Sequence, residues 1–242
     1  MKKFGRTLIL CMSVILFGAC SESTDDLTMQ EVQTRLDQST NEVDRYEIDM
    51  VLTVLAKDMS RGEQKQVNKG KVQYIEKESP DFHASYITTT DGEPNDAKAE
   101  VYKKDNIILT NENGGDWEDI SGQVTDEELL SVQYAKMIEN LRKVKDELAM
   151  KEKEDSYILT YSGNSQDVYK VFKDSFNMSF TGVDSTNISS DLEVVIDKDT
   201  MRMKDFNYEA VGKNPTQSVT ISVELGYGQV NEVEEIELPK LN

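Results

Sequence analysis

Apolar and polar residues alternate most regularly between Tyr46 and Leu55. A period of two over this length is typical of a strand that turns one face toward a core. The inward positions of this strand are Tyr46, Ile48, Met50, Leu52 and Val54. Shorter segments of the same character predict further strands at 67–77, 99–103, 106–110, 157–161, 192–196, 201–211 and 218–225, and one that begins at 82.

Other segments have the spacing of amphipathic helices. Thr28 and Glu31 have capping-box spacing, so we predict a helix over residues 28–41. The same spacing recurs at Thr125 and Glu128, and it predicts a central helix over residues 124–145. One face of that helix carries Leu130, Tyr134, Met137, Ile138, Leu141 and Val144.

A third helix is predicted after Ser165, which can cap it, with Val168, Val171, Phe172 and Phe176 on its apolar face. Between the second and third helices, Leu148 could extend the helical stripe. The alternation of Leu148 with Met150 also fits a strand, which we prefer and which would pair with residues 157–161.

These elements predict an α+β domain spanning residues 28–242. Because the helices do not follow every strand, a parallel sheet is not expected. One wide antiparallel sheet, wrapped around the amphipathic helices, would bury every apolar face. We see no repeat of fixed period that would divide the chain further.

The first twenty residues have the organisation of an export signal. Lys2, Lys3 and Arg6 precede an uncharged apolar run, which is too short to span a bilayer and ends in Gly18-Ala19-Cys20. Residues 16–20, LFGAC, resemble a bacterial lipobox, with Phe17 where Leu is usual. The alternative is an ordinary secretory signal with a chance cysteine.

The lipobox resemblance implies cleavage before Cys20 and a diacylglyceryl thioether on its sulfur. The chain would then comprise a lipoprotein signal peptide at 1–19, a lipidated cysteine with a polar tether at 20–27, and the domain at 28–242. We therefore expect a lipid-anchored protein on the extracytoplasmic face of the cell membrane.

Composition limits the partners and the chemistry of the domain. Residues 1–19 hold three of the 27 basic residues and no acidic residue, which leaves 24 basic against 46 acidic ones and a net charge of −22. Nucleic-acid phosphates and anionic headgroups would be repelled, so membrane attachment would depend on the lipid at Cys20. With Cys11 and Cys20 accounted for, no disulfide is expected.

Neither catalysis nor metal binding is indicated. His83 is the one histidine, there is no G-x-S-x-G turn, and alternation places His83 on the solvent side of its strand. Acidic residues at 91–96 and 197–199 lack the calcium-loop pattern and are better explained as turns. We expect no enzyme activity, no cofactor and no metal.

The sequence Asn113-Gly114-Gly115 predicts a hairpin turn because its residues tolerate positive φ. Trp117 and Ile120 would lie on the short return strand. Trp117 could serve as a platform for a ligand, but packing across its own hairpin is the interpretation we favour.

Several stretches resemble the LolA/LprG-like lipoproteins, and among them uncharacterised envelope lipoproteins of Gram-positive bacteria. They are YEIDMVLTVLA, VYKKDNIILTNENGGDWEDIS, DSYILTYSG, VVIDKDTMRM and EEIELP. The resemblance implies a strongly curved antiparallel half-barrel closed by two or three helices. It also implies a space between sheet and helices that holds acyl chains. LolA carriers share an arginine on an inner strand, whereas residues 46–56 contain no arginine or lysine.

Three function classes follow. The first is binding or transfer of an acyl lipid or glycolipid, with a neutral or glycosylated amphiphile favoured by the acidic surface. The second is a non-enzymatic envelope sensor or scaffold that contacts a protein partner of unknown identity. The third, a solute-binding lipoprotein, is disfavoured because the chain does not divide into two α/β lobes. For the first class we predict a cavity lined by Ile48, Met50, Leu52, Tyr134, Met137, Leu141, Phe206, Tyr208 and Ile221.

Overall fold

The computed structural model describes residues 27–60, 62–76, 79–124 and 131–241. Within these ranges the strands form one antiparallel sheet. The strands are β1 (Arg45–Asp58), β2 (Gly62–Ile75), β3 (Asp81–Thr90), β4 (Ala97–Lys104), β5 (Ile107–Glu112), β6 (Glu118–Asp119), β7 (Ala149–Glu152), β8 (Ser156–Gly163), β9 (Ile188–Asp197), β10 (Met203–Lys213) and β11 (Gln217–Gly228). The export signal, the lipobox and the tether up to residue 26 lie outside the described residues.

The sheet is open, with the first and last strands paired at its middle. Its order is β6-β5-β4-β3-β2-β1-β11-β10-β9-β8-β7, so each half is a simple meander. The short strands β6 and β7 form the two edges. Short, charged edge strands such as β7 discourage pairing with other chains. The predicted α+β class and antiparallel sheet are confirmed.

The described helices are α1 (Met29–Ser39), α2 (Tyr134–Lys143) and α3 (Gln166–Ser175). The predicted capping box of α1 is confirmed, since Thr28 accepts from the Glu31 N–H and Glu31 accepts from the Thr28 N–H. Helix α3 begins after Ser165 as predicted. The Ser165 hydroxyl, however, donates to Glu147 and makes no capping bond.

The prediction of an unbroken central helix over residues 124–145 is wrong at residues 131–133, which form a turn before α2 begins at Tyr134. The capping box at Thr125 and Glu128, and Leu130, lie outside the described residues. Gln133 is extended (φ −54°, ψ 140°), and the Tyr134 N–H donates to the Tyr46 hydroxyl at 2.9 Å. The sheet thus supplies the partner that an earlier helical turn would have supplied.

Two strands begin well before the residue that was predicted, and the other strand boundaries shift by smaller amounts. Strand β2 begins at Gly62 and not at 67, and β9 begins at Ile188 and not at 192. The extra residues of β2 include no apolar side chain, but all of them pair with β1, from Gly62 opposite Asp58 to Gln66 opposite Val54. Pairing with a long neighbour therefore extends β2 beyond its hydrophobic pattern.

The helices described above, α1, α2 and α3, all contribute to one core on a single face of the sheet, which we call the inner face. The core includes Val32 and Leu36 of α1, and Val168 and Phe172 of α3. Strand β7 at residues 149–152 pairs with β8, which confirms the preferred interpretation of residues 148–150 as strand rather than helix.

Candidate functional site

The inner face of β1 divides into two parts that differ in solvent exposure. Tyr46 and Ile48 are each 0% exposed. Met50, Leu52 and Val54 lie on the same face, further along the strand, and are only partly buried. We call these parts the closed end (inner positions 46 and 48 of β1 and the side chains around them) and the open end (inner positions 50–56 of β1 and the side chains beside them).

The closed end is built around a group of tyrosines. Tyr46 stacks on Tyr74 of β2 with ring centroids 5.2 Å apart, and it lies 5.9 Å from Tyr134 of α2. Tyr227 of β11 completes the group, edge-on to Tyr134 at 5.4 Å. Such aromatic pairs stabilise a core beyond their buried area. They join the middle of the sheet to the first turn of α2.

Hydrogen bonds fix the start of α2 to this group. Tyr46 donates to Glu76 Oε1 at 2.6 Å, and the Gln133 side-chain amide donates to Glu76 Oε2. The Tyr134 hydroxyl accepts from the Met203 N–H at 3.0 Å and lies 3.1 Å from Ser39 Oγ. Desolvation raises the pKa of the Glu76 carboxyl, against the lowering effect of its bonds to Tyr46 and Gln133.

The inner face of the open end carries no charge across four described strands. Opposite Met50, Leu52 and Val54 stand Leu225, Val223 and Ile221 of β11 on one side. On the other side stand Gly70, Asn68 and Gln66 of β2, followed by Tyr86, Thr88 and Thr90 of β3. The charged residues of this part of β2 occupy the opposite face, which we call the outer face: Glu63, Lys65, Lys69 and Lys71.

This uncharged face is apolar on β1 and β11 and becomes polar on β2 and β3. Its β11 residues, Leu225, Val223 and Ile221, are buried, so the accessible apolar part lies on β1. It runs along β1 for roughly 20 Å, from residue 50 to 56. In a chain with 30% charged residues, an inner face without charge across four long strands is a distinct feature. It provides apolar area beside neutral hydrogen-bonding groups.

A glycine shapes the middle of the open end. A Cβ on Gly70 would lie 2.5 Å from Tyr86 Cδ1 and 3.4 Å from the Met50 methyl group. The Tyr86 ring therefore packs against the Gly70 backbone, beside Met50, in space that a side chain at residue 70 would fill. Burial raises the pKa of the Tyr86 hydroxyl.

The segment at 177–184 covers the neighbouring part of β10. Phe180 Cδ1 and Val183 Cγ1 would lie 2.6 Å and 3.2 Å from a Cβ on Gly212. Gln217 and Asn214 hold this segment through their side-chain amides, which donate to the carbonyls of Thr181 and Gly182 at 2.9 Å. The segment bounds the open end on the β10 side.

The predicted cavity residues differ in how deeply they are buried. Two of them, Met50 and Leu52, are partly buried at the open end. The other seven are buried in the core: Ile48, Tyr134, Met137, Leu141, Phe206, Tyr208 and Ile221. The predicted lining did not include Val54, although the sequence analysis placed it among the inward positions of β1, and it also omitted Tyr86 and Asn68. Lys65, Lys69 and Lys71 mark the outer face of β2 in the sequence. The alternate positions, which include Asn68, could therefore have been predicted to lie on the inner face.

The outer face has its own aromatic group. His83 stacks on Tyr102 with centroids 4.1 Å apart, and Trp117 meets Tyr102 edge-on at 5.4 Å. His83 is on the outer face as predicted, but it is partly buried and not a fully exposed surface residue, because Tyr102 covers it. Burial lowers the pKa of His83. The prediction for Trp117 is wrong in two details. Its ring packs on Tyr102 of β4, which is not part of its own hairpin, and Trp117 and Ile120 flank β6 and do not lie within it.

The hairpin at 113–115 is confirmed, with positive φ at Asn113 and Gly114. The acidic side chain of Asp197 accepts from the Thr200 N–H and hydroxyl, both at 2.9 Å, as expected for a turn. Among the described residues, no group of three or more His, Cys, Asp or Glu side chains could hold a metal ion.

A family model described as "Family of unknown function (DUF6612)" matches residues 28–241. The chain belongs to this DUF6612 family. The match begins at the capping residue of α1 and ends at the last described residue, so the family spans the whole sheet and its helices. No protein with a curated description matches the chain.

Solved structures similar to this DUF6612 protein include LprF from Mycobacterium bovis, at 10% identity and a TM-score of 0.44, covering 87% of this chain and 96% of LprF. A LolA superfamily protein from Nitrosomonas europaea matches at 8% identity and a TM-score of 0.24, covering 88% and 96%. A putative outer membrane lipoprotein-sorting protein domain from Vibrio parahaemolyticus matches at 8% identity and 0.25, covering 83% and 93%.

These structures include an LprF and a LolA superfamily protein, which are the kinds of protein that the sequence resemblance named. Because all three TM-scores are low, we base no conclusion about ligand or activity on these likenesses. In the part of the chain that the structure describes, no helix has the length and apolar character needed to cross a membrane.

Proposed function

We propose that this protein is a lipid-anchored extracytoplasmic lipoprotein that binds the acyl chain of an amphiphile on the open end of its inner face. The observation that supports this most directly is that the solvent exposure of the inner side chains changes along β1. The same apolar face is fully buried at Ile48 and only partly buried at Met50, Leu52 and Val54. Apolar area left on an inner face is available to a hydrophobic ligand.

Burial of an acyl chain there is favourable by ~0.8 kcal/mol for each methylene removed from water. The two partly buried members of the predicted lining, Met50 and Leu52, would contact the chain. Methionine suits such a surface because its unbranched side chain adapts to different shapes. The seven buried members would form the wall behind them, so the site we propose is shallower than a cavity running through the core.

Attachment to the membrane is the second part of the proposal. It rests on the LFGAC sequence and on Cys20, whose thioether-linked lipid would hold the domain near its ligand. We expect Cys20→Ala to release the protein from the membrane fraction or to leave it unprocessed. A processed variant that partitions as the wild type does would contradict the anchor.

Binding is tested with a fluorescent acyl probe and two neighbouring substitutions on β1. Leu52→Glu places a charge on the inner face, where burying it against a chain is costly, and it should reduce probe binding at least tenfold. Thr53→Glu places the same charge on the outer face and should leave binding unchanged. Both variants carry the same apolar residues 1–19. Any binding of the probe to those residues is therefore equal in the two variants and does not affect their difference.

Equal binding by the two variants would contradict the proposed location. No binding of any acyl probe by the wild-type protein would overturn the binding function altogether. In that case the alternative of an envelope sensor or scaffold, in which the same surface contacts a protein partner, would replace it.

A further inference from the structure

Asn68 brings a polar atom without a partner to the open end. It lies on the inner face of β2, directly between Leu52 of β1 and Thr88 of β3. Its Oδ1 atom is buried and has no hydrogen-bond partner among the described residues. A buried acceptor without a donor costs free energy, and most such atoms in folded proteins are paired.

The surroundings of this acceptor are polar but neutral. On its strand the next inner positions are Gln66 and Gly70, and across β3 they are Thr88 and Thr90. Toward β1 and β11 the neighbours are apolar, with the partly buried Leu52 opposite the buried Val223. The acceptor therefore marks the border between the part that suits an acyl chain and the part that suits a neutral polar group.

The charge of the protein adds a second constraint on what can occupy this border. With 46 acidic and 27 basic residues, the chain repels anions. An ionised carboxylate or phosphate also has no hydrogen to donate to Asn68 Oδ1, whereas a hydroxyl or an amide N–H does. Charge and hydrogen bonding thus favour the same class of ligand.

Building on the proposed function, we infer that the ligand is an uncharged amphiphile whose hydroxyl or amide N–H, next to its acyl chain, donates a hydrogen bond to Asn68 Oδ1. The acyl chain lies over Met50, Leu52 and Val54. The polar group lies toward Thr88 and Thr90, whose hydroxyls can serve it further.

Three probes with the same sixteen-carbon chain separate the possibilities: a monoacylglycerol, an N-acylethanolamine and the free carboxylate, each competing against one fluorescent acyl probe. The monoacylglycerol tests the hydroxyl and the N-acylethanolamine the amide. We expect the wild-type protein to bind one or both of these at least about tenfold more tightly than the carboxylate, as one hydrogen bond to a buried group allows.

Asn68→Leu removes the acceptor and keeps a side chain of similar size. It should abolish the preference for the neutral probes while acyl binding persists, and it should not lower the melting temperature, because an unsatisfied polar atom is replaced by an apolar group. Asn68→Asp retains an acceptor and adds a negative charge. It should therefore still bind the neutral probes and should bind the carboxylate more weakly than the wild-type protein does. The matched control is Asn207→Leu, the same change at a partly buried site on the outer face of β10.

Equal binding of the three probes to the wild-type protein, or an unchanged preference in Asn68→Leu, would overturn this inference and leave the proposed function standing. A preference for the carboxylate would also overturn it. Absence of binding by every probe would overturn the inference together with the proposed function.

Discussion

The two ends of the inner face of β1 carry similar apolar side chains but differ in how far those side chains are buried. At the closed end, Tyr46 and Ile48 are covered by α2 and by the tyrosines of three neighbouring elements. At the open end, Met50, Leu52 and Val54 have the same apolar character but remain partly exposed. Apolar alternation alone therefore does not determine burial. The closed end differs from the open end by the contacts that Tyr46 makes with Tyr74, Tyr134 and Tyr227.

The two ends also differ in the hydrogen bonding of their polar groups. At the closed end, the Tyr46 hydroxyl, the Glu76 carboxyl and the Gln133 amide satisfy one another. At the open end, Asn68 Oδ1 has no partner in the described part of the chain. A satisfied network rigidifies a core, whereas a buried acceptor without a partner still has the capacity to accept a hydrogen bond. Under the proposed function, the closed end therefore contributes stability and the open end contributes binding.

Truncating one leucine at each end should give the largest difference in the free energy of unfolding between the two ends. Leu141 of α2 is 1% exposed in the core, so Leu141→Ala should lower the free energy of unfolding by ~2–5 kcal/mol. Leu52→Ala removes the same atoms from a partly buried position and should cost less than about half as much. Denaturant unfolding measures both. Equal losses would show that the open end is as much a part of the core as the closed end.

Removal of tyrosine hydroxyls tests the network in the same way. Tyr46→Phe leaves the buried Tyr134 N–H without its acceptor and should lower the free energy of unfolding by ~1–3 kcal/mol. The control is Tyr86→Phe at the open end, which should stay within about 0.5 kcal/mol of the wild type. A negligible loss in Tyr46→Phe would mean that the start of α2 does not depend on this bond.

The pH dependence of stability should distinguish Glu76 from a surface carboxylate. Its folded-state pKa is raised above the ordinary 4.5, so its contribution to stability is present at low pH and is lost as pH rises through that raised value. Glu76→Gln cannot ionise, and its stability relative to the wild type should rise between about pH 4 and pH 7. Urea unfolding at several pH values gives the difference.

Glu31 provides the control of opposite sign. Its bonds to the Thr28 hydroxyl and N–H lower the pKa of its carboxyl, so its contribution is present above the ordinary value and is lost as pH falls. Glu31→Gln should therefore lose stability relative to the wild type as pH rises. Parallel pH profiles for the two variants would contradict the buried position of Glu76.

The sequence predicted the elements better than it predicted the division between the two ends. The strand around Tyr46 and the capping box at Thr28 follow from residues close in the chain, and both are confirmed. The turn at 131–133 depends on Tyr46, nearly ninety residues away, which no local pattern contains. The predicted lining residues were chosen by their inward direction, which Ile48 and Leu52 share although their exposure differs.

The central claim, that an acyl chain lies on the inner face of the open end, can be tested with a brominated acyl amphiphile that quenches tryptophan. In a Trp117→Phe background, a tryptophan is introduced either by Val54→Trp on the inner face or by Leu55→Trp on the outer face. Both positions are partly buried neighbours on β1. We predict strong, saturable quenching for Val54→Trp and little for Leu55→Trp. Equal quenching at both positions, or none at Val54→Trp, would contradict the account.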